Sequence, residues 1–488
     1  MCVTRCVSAL GVLAFAAASC GRQEPVPSAS QAPKAAAAEQ AAARKAGPSY
    51  RFDRNGWIFV HLEGTPAQVG YQHGYRLAAE IDDLLRVLKP FLLETSKRDW
   101  AFYREVAETI LWPGIDDEYR AELDGIVAGL SARGVTADRW DIVALNAFEE
   151  VPDYYVPWLD AQQGRTPVGR APGNCSAFVA TGDWTKDRGI VIGHNAWTTY
   201  VTGARWTVIF DITPERGHRI LMDGLPGVIA SDDDFGVNGA GLMITETTIT
   251  GFKGFDPSGT PEFYRARKAM QYASSIDEYV RIMVERNNGG YANDWLIGDN
   301  KTGEIALFEL GLKNWTVDRT KNGYFVGANF PVKEKLTREE TDFDPTNRAS
   351  SPNVRRTRWE QLMAEYKGRI DVEAGKAFEA DKYDVIEGRD GPTERSLCGA
   401  TEDSPRGVPE WHWPPYWPGG TVQAKVMDSV MAGRLEFWAA AGRPCAGDFL
   451  AEPFLVKRPQ FAWMRGLLRD MKSGPWTAFA AGMSGAAR

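Results

Sequence analysis

The chain has 488 residues, and the usual domain size suggests roughly two to four folding units. Its hydrophobic content of 44% and formal net charge of -8 describe an ordinary globular protein. Because no long run of Lys or Arg is present, the composition disfavours binding to nucleic acid.

The N-terminus has the layout of a secretory signal peptide. Arg5 precedes an uncharged run, Cys6–Ala18, and small residues follow up to Cys20. The residues that end at Cys20 resemble a bacterial lipobox, although the usual leucine three places earlier is missing. We expect a signal peptide at 1–19, lipidation of Cys20 and a periplasmic or cell-envelope lipoprotein. The alternative is a secreted protein without the lipid, and membrane contact is expected only through this anchor.

Residues 20–50 contain few large apolar side chains and are expected to form a flexible tether. Three cysteines remain beyond this tether, in a compartment that is expected to be oxidising. The economical assignment pairs Cys398 with Cys445 and leaves Cys175 as a free thiol. The alternative is a Cys175 that is buried and inert.

Residues 51–174 are expected to be mostly helical, after an apolar stretch at Gly56–Val60. Thr65 is placed as a helix N-cap, with Pro66 at the first helical position and Gln68 as its capping-box partner. Two further helical patterns lie at about Trp100–Ile110 and Asp116–Leu130.

Beyond Cys175 the pattern changes to short β-prone runs separated by Gly, Asp and Pro. The predicted strands are Ser176–Ala180, Gly189–Ile192, Trp206–Ile212, Arg219–Met222, Gly241–Thr245, Trp295–Gly298, Ile305–Leu310, Trp315–Val317 and Tyr324–Val326. Helices are predicted at Pro261–Arg286, Val354–Tyr366 and Gln423–Ala440. Alternating strand and helix layers favour an α/β or α+β sandwich.

Several common active sites are excluded by inspection. The chain has no G-x-S-x-G elbow, no H-E-x-x-H, no phosphate-binding loop and no cysteine pairs at zinc spacing. None of its five histidines has a second histidine or cysteine at ligand spacing, so we expect neither a metal nor a cofactor.

Cys175 lies where the helical leader meets the first strand. A thiol at such a junction can attack the preceding carbonyl carbon, shift the acyl group from nitrogen to sulfur, and be released by water as a new N-terminal residue. Its α-amine, with a reference pKa of about 8, can then act as the general base. This chemistry would cleave the chain between Asn174 and Cys175.

Four motifs in order resemble one family. Asn174-Cys175-Ser176-Ala177 is followed by Gly193-His194-Asn195-Ala196-Trp197, in which Ala196 replaces the usual threonine; then come Leu225-Pro226-Gly227 with Asp233-Asp234-Phe235, Glu246-Thr247-Thr248, and Asn287 to Trp295. These are similar to the phospholipase B-like proteins and, more loosely, to the penicillin acyltransferase and choloylglycine hydrolase relatives. All belong to the N-terminal-nucleophile (Ntn) superfamily.

The resemblance implies an α+β fold, a four-layer αββα Ntn-hydrolase sandwich. Its core would span 175–335, preceded by the helical segment 51–174 and followed by a mixed extension, 336–488, that packs on the core. It also implies that the two self-cleavage fragments stay associated.

The resemblance gives each matching residue a role. Cys175 would be the nucleophile. His194 would line the pocket and orient the nucleophile, and Asn293 would donate a hydrogen bond from its side-chain amide to the oxyanion. Further pocket candidates are Asn195, Trp197, Asp233 and Thr247. Without the motifs, His194 would be taken as a core histidine and Asn293 as a turn residue.

The implied activity is that of a self-activated cysteine hydrolase that cleaves an amide or ester bond of a small acyl substrate, with lipid-like compounds included. Two alternatives stay open. One is acyl transfer to an amine acceptor, which uses the same residues, and the other is a lipoprotein that only binds a lipid or peptide.

Overall fold

The computed structural model describes residues 41–166, 175–232 and 235–485. Cys20, Asn174 and Asp233 lie outside these residues. Ala46–Arg488 forms one compact unit. Within the described ranges, no helix is both long enough and apolar enough to cross a membrane.

The part of the chain before Cys175 begins with two paired strands, β1 (Tyr50–Arg54) and β2 (Trp57–Gly64). Helices follow, namely α1 (Pro66–Arg76), α2 (Ala78–Ser96), α3 (Trp100–Val106), α4 (Asp117–Ala132), α5 (Arg139–Asn146) and α6 (Val156–Gln162). The capping box at Thr65 is confirmed, because its side chain accepts from the Gln68 amide while Gln68 accepts from the Thr65 amide. Two π-helical turns, Ala107–Leu111 and Val151–Tyr155, interrupt the helices.

Beyond Cys175 the chain alternates between strands and helices, and the predicted strands up to Val326 overlap strands of the structure. The strands are β3 (Ser176–Thr181), β4 (Val191–Thr199), β5 (Val208–Pro214), β6 (Ile220–Gly224), β7 (Gly236–Asn238), β8 (Leu242–Thr248), β9 (Asn293–Asp299), β10 (Glu304–Leu310), β11 (Trp315–Thr320), β12 (Gly323–Gly327), β13 (Tyr383–Asp384), β14 (Arg389–Asp390), β15 (Gly419–Asp428), β16 (Glu436–Ala441) and β17 (Thr477–Ala480). The helices are α7 (Tyr200–Gly203), α8 (Glu262–Tyr272), α9 (Ile276–Val284), α10 (Glu334–Glu340), α11 (Ser351–Tyr366), α12 (Val372–Glu379), α13 (Ser429–Ala432) and α14 (Ala451–Lys457).

Two large sheets organise this mixed α+β fold. One has nine strands in the order β1-β2-β5-β6-β7-β8-β9-β10-β11, and the other has six in the order β12-β3-β4-β15-β16-β17. The strands β1 and β2, which precede Cys175, join the larger sheet through the parallel pair β2–β5. The strands β15, β16 and β17 supply half of the smaller sheet, so residues beyond 335 lie in the sheet that begins with Cys175.

Alternation along the strands divides most apolar side chains among three large clusters, and a small fourth cluster contains Trp197, Val408 and Trp411. One cluster contains residues of both sheets, such as Ile209 and Leu296 from the larger and Ala177 and Ile192 from the smaller. In a second cluster, α1, α2 and α4 pack against the opposite face of the larger sheet. A third places α11 and α12 against the smaller sheet.

The predicted helix at Gln423–Ala440 is wrong. This stretch contains most of β15, the short helix α13 and most of β16. Because β15 lies between β4 and β16 and nearly all of its residues are buried, its side chains show no clean alternation. The predicted helix at Pro261–Arg286 is two helices, α8 and α9, and Ser275 caps the second.

Candidate active site

Cys175 lies directly before β3 and is 1% exposed. Its backbone has φ of 109°, in the region that residues with a side chain rarely adopt. Such a conformation costs about 1–3 kcal/mol and persists only where the surrounding structure enforces it. The candidate nucleophile therefore occupies a strained position at the end of a buried strand.

Three side chains with reactive or metal-binding atoms meet at this point. The sulfur of Cys175, a ring nitrogen of His194 and a carboxylate oxygen of Glu246 all lie within 4.8 Å of one another. The Cys175 thiol donates to Glu246 Oε1 over 3.9 Å, a long contact even for sulfur. The same three donors are of the kinds that hold zinc, so this cluster is where the described part of the chain can hold a metal ion.

His194 is held in the middle of the smaller sheet. On β4 it pairs with Ala177 of β3 on one side and with Lys425 of β15 on the other. Lys425 forms a fully buried ion pair with Asp223 of the larger sheet, at 3.0 Å, and Ser231 donates to the same carboxylate at 2.9 Å. This charged pair connects the two sheets beside the histidine.

Glu246 lies on β8 and receives a second donor, the Tyr291 hydroxyl, at 3.3 Å. Burial, followed by the charge of Glu246, raises the pKa of Tyr291 well above its usual value. Tyr291 therefore stays protonated and donates to this carboxylate.

Arg355 of α11 fixes the backbone of Cys175. Its guanidinium donates to the carbonyl oxygen of Cys175 at 2.6 Å, to the Ser176 hydroxyl at 3.1 Å and to Asn329 Oδ1 at 2.8 Å. The group also lies over the rings of Trp197 and Trp411, at 5.1 and 5.2 Å from their centroids. Burial lowers the pKa of Arg355 to about 9.

Asn293 begins β9, where it pairs with Thr248 of β8. Because Glu246 pairs with Trp295, the register places Asn293 and Glu246 on the same face of the sheet, as diagonal neighbours about 7–8 Å apart. Asn293 is fully buried, and neither atom of its amide has a hydrogen-bond partner among the described residues. No hydrogen bond joins it to Cys175 in that part of the chain.

The other predicted pocket residues lie around this centre with different roles. Asn195 donates to the Glu379 carbonyl at 2.5 Å and Trp197 donates to the Leu397 carbonyl at 2.9 Å, so both connect β4 to the segment beyond residue 335. Thr247 is on the opposite face of β8 from Glu246 by alternation. A side chain at Gly327 would collide with the Thr247 hydroxyl, which makes Thr247 a packing residue between the sheets.

Cys398 and Cys445 form a disulfide with a Cα–Cα distance of 6.0 Å. Cys175 takes no part in this disulfide and keeps its thiol. The pairing fixes the segment that carries Leu397, the acceptor of the Trp197 indole, to the end of β16.

An open cavity of about 410 Å³ lies near this centre, lined largely by aromatic residues. Trp411 belongs to its wall and also meets Trp197 edge to face, with ring centroids 5.8 Å apart. Since Trp411 also touches Arg355, one layer of side chains separates the cavity from the backbone of Cys175.

Residues 103–307 match the family model described as Phospholipase B. The chain is a relative of the phospholipase B-like proteins. The matched range contains Cys175, His194, Glu246, Tyr291 and Asn293, and it ends before Arg355.

Individual proteins with similar sequences include members of the same family. An uncharacterized protein of Archaeoglobus fulgidus is 26% identical over 284 residues, which are 54% of this chain and 45% of that protein. Phospholipase B of Crotalus adamanteus is 26% identical over 256 residues, 44% of this chain and 45% of that protein. Human phospholipase B-like 1 is 24% identical over 246 residues, 44% of each chain. The chain therefore spans less than half the length of these relatives.

Two residues of this centre were missed by the sequence analysis. Glu246 stood within a quoted motif, and only its contact with the Cys175 thiol reveals a chemical role. Arg355 lies beyond the matched range, on a helix with no pattern that singles it out, and no sequence signal identifies it.

Proposed function

We propose that this protein is an acyl hydrolase whose nucleophile is Cys175, released by cleavage of the bond between Asn174 and Cys175. The observation that carries the proposal is the meeting of thiol, imidazole and carboxylate from Cys175, His194 and Glu246 within 4.8 Å. The strained backbone of Cys175, with φ of 109°, supports it because strain at a scissile junction favours bond breaking.

Cleavage needs a base before the α-amine exists. We assign that role to the Glu246 carboxylate, which accepts from the Cys175 thiol. The thiolate attacks the carbonyl carbon of residue 174, the C–N bond breaks, and the proton passes to the departing amine of Cys175. Water then hydrolyses the thioester, which leaves a carboxylate on residue 174 and a free amine and thiol on Cys175.

Turnover repeats this chemistry on an external acyl compound. The freed α-amine acts as the base, the thiol attacks the substrate carbonyl, and water resolves the acyl-enzyme. The Asn293 amide is the proposed oxyanion donor, supported by its burial, its lack of other partners and its position on the face of Glu246. His194 orients the thiol from β4.

Arg355 acts as a positioning residue in both steps. Its hydrogen bond to the Cys175 carbonyl holds the first residue of β3 in place while the preceding bond breaks. The neighbouring rings of Trp197 and Trp411 restrict the guanidinium to this orientation.

We infer a four-layer αββα arrangement of the Ntn type. The shared apolar cluster between the sheets and the two clusters that place helices on their other faces support it. Cleaved fragments would stay together, since β2 and β5 pair over seven positions across the cleavage point. The amide of Gly227 also donates to His73 Nε2 at 2.8 Å, another bond between the two fragments.

We also propose that the protein is exported. The signal-peptide pattern supports this, and so does the disulfide between Cys398 and Cys445, because such bonds persist in oxidising compartments. Lipidation at Cys20 is part of the same proposal.

For the substrate we propose a carboxylic ester of a lipid-like compound, with amides as the second bond to test. The name of the matching family and the name of the Crotalus adamanteus relative, phospholipase B, support the ester.

The test is intact mass and N-terminal sequencing of the full chain and of its Cys175→Ala and Cys175→Ser variants. We expect a wild-type fragment that begins Cys-Ser-Ala-Phe, an uncleaved alanine variant, and slow cleavage of the serine variant, because a hydroxyl is a poorer nucleophile. Turnover of acyl ester and amide substrates should follow the same order.

If the wild type remains one chain, or if the alanine variant is cleaved as fully as the wild type, the mechanism is wrong. The serine variant is the matched control, because it retains a nucleophilic atom at the same position in a side chain of similar size.

A further inference from the structure

The cavity beside the Cys175 centre has an unusual composition. Among its lining residues, seven are aromatic and a single one, Leu92, is aliphatic apart from prolines. A pocket built for a plain hydrocarbon chain would not need aromatic walls on every side, because aliphatic side chains exclude water equally well.

The aromatic rings form a continuous series. Trp463 stacks on Phe91 at 6.2 Å between centroids, Phe91 meets Trp417 at 6.4 Å, and Trp417 meets Trp413 at 6.4 Å. Trp413 then meets Trp411 edge to face at 5.4 Å. Such a wall presents the electron-rich faces and edges of several rings to one volume.

Acidic side chains outnumber basic ones in the lining. Glu94, Glu149 and Asp153 line the cavity together with one histidine, His412, and no Lys or Arg does so in the part of the chain that the structure describes. Asp153 lies in the π-helical turn Val151–Tyr155 and makes no ion pair with any described residue. Burial raises the pKa of Asp153 to about 8, so a cation in the cavity would stabilise its ionised form.

One ring of the wall carries an unsatisfied donor. The indole nitrogen of Trp417 is buried and has no acceptor among the described residues.

Side-chain contacts lead from the acidic wall to the nucleophile. Tyr154 follows Asp153, and its ring lies 6.5 Å from that of Tyr291. Tyr291 donates to Glu246, and Glu246 accepts from the Cys175 thiol. Along this route the side chains of Tyr154, Tyr291 and Glu246 lie between the acidic wall and the Cys175 thiol.

We propose that this aromatic and acidic cavity binds an organic cation, a quaternary ammonium or amine group, of the substrate. Faces of Trp attract such groups, and carboxylates at the same wall add charge complementarity. The inference deepens the proposed function by naming the polar end of the substrate, and it rests on that function only for the link to turnover.

Calorimetric titration of the full chain in its Cys175→Ala form tests binding without chemistry. The ligands are choline and its neutral isostere 3,3-dimethylbutan-1-ol, which has the same shape without the charge. We expect choline to bind at least about tenfold more tightly. Phosphocholine and ethanolamine are further arms: tighter binding of phosphocholine would indicate a lipid headgroup, and tighter binding of ethanolamine a primary amine.

Two variants locate the site, each with a matched control. Asp153→Asn and Trp413→Leu should each weaken choline binding about tenfold, whereas the exposed Asp187→Asn and Trp315→Leu should leave it unchanged. Equal affinities for choline and the isostere, or equal losses in the variants and their controls, would overturn the inference. The isostere comparison needs no cavity variant, so it holds even if Trp413→Leu fails to fold.

Failure here is distinguishable from failure of the hydrolase proposal. Cleavage at Cys175 is read by mass and does not depend on choline, while choline binding is measured in a chain that lacks the nucleophile.

Discussion

The cluster around Cys175 and the aromatic cavity beside it differ in almost every physical respect. The first is closed, polar and held by a buried arginine, and its thiol, imidazole and carboxylate are 0–1% exposed. The second is open, aromatic and acidic, with one histidine and no Lys or Arg among its described lining residues. Reactive groups held together in a buried cluster are suited to chemistry, whereas rings around an open volume are suited to holding a ligand. Changes in the first should therefore act on rate, and changes in the second on affinity.

The largest expected effect after loss of the thiol is that of Asn293→Ala. Removal of an oxyanion donor should lower kcat by about 100- to 1,000-fold with little change in KM. Because the amide makes no hydrogen bond to the described residues, the thermal midpoint should not fall. A clear fall in the midpoint with a small loss of rate would reassign Asn293 to structure.

Glu246→Gln should act on self-cleavage more than on turnover. Without its carboxylate the uncleaved chain lacks the proposed base, and cleavage should slow by about 100-fold. A time course by mass spectrometry measures this, with Glu63→Gln on the partly exposed end of β2 as a control. Cleavage at the wild-type rate would assign the base to another group.

Arg355→Lys should have a smaller effect that sharpens the difference between the two sites. A lysine keeps the charge but cannot make three hydrogen bonds in the planar fork of arginine, so cleavage should slow by about tenfold. Choline affinity should change little, because Arg355 does not line the cavity. An equal loss of cleavage rate and choline affinity would contradict the separation.

The last effect concerns stability at low pH rather than rate or affinity, and it involves neither site directly. Burial lowers the pKa of His73 to about 3, and its Nε2 accepts from Gly227 as a neutral ring. Below the ordinary pKa of 6.5 the unfolded chain binds a proton that the folded chain does not, so stability falls as pH drops from 6.5 towards 3. This group alone should lower the free energy of unfolding by about 1.4 kcal/mol per pH unit in that window.

Urea unfolding at pH 7 and pH 5 measures this slope in the full chain, in His73→Gln and in His412→Gln. The exposed His412 is the control, and only His73→Gln should flatten the pH dependence. An unchanged slope in His73→Gln would mean that other groups dominate acid unfolding.

The sequence by itself determined those features that depend on local chemistry. The capping box at Thr65, most of the strands from Ser176 to Val326 and the four motifs around Cys175 were readable, because caps, turns and short strands leave local patterns, whereas the short β7 was missed. The same motifs indicated the phospholipase B-like family. The π-helical turn at Val151–Tyr155 leaves no such pattern.

Only the tertiary structure decided which distant residues meet. β15 was predicted as a helix because a strand that lies inside a sheet, and is buried almost throughout, loses its alternation. Arg355 reaches Cys175 across 180 residues of sequence, and the cavity wall is assembled from Phe91, Asp153 and Trp411–Trp417. Contacts of this kind depend on how layers pack rather than on neighbouring residues, so no local pattern records them.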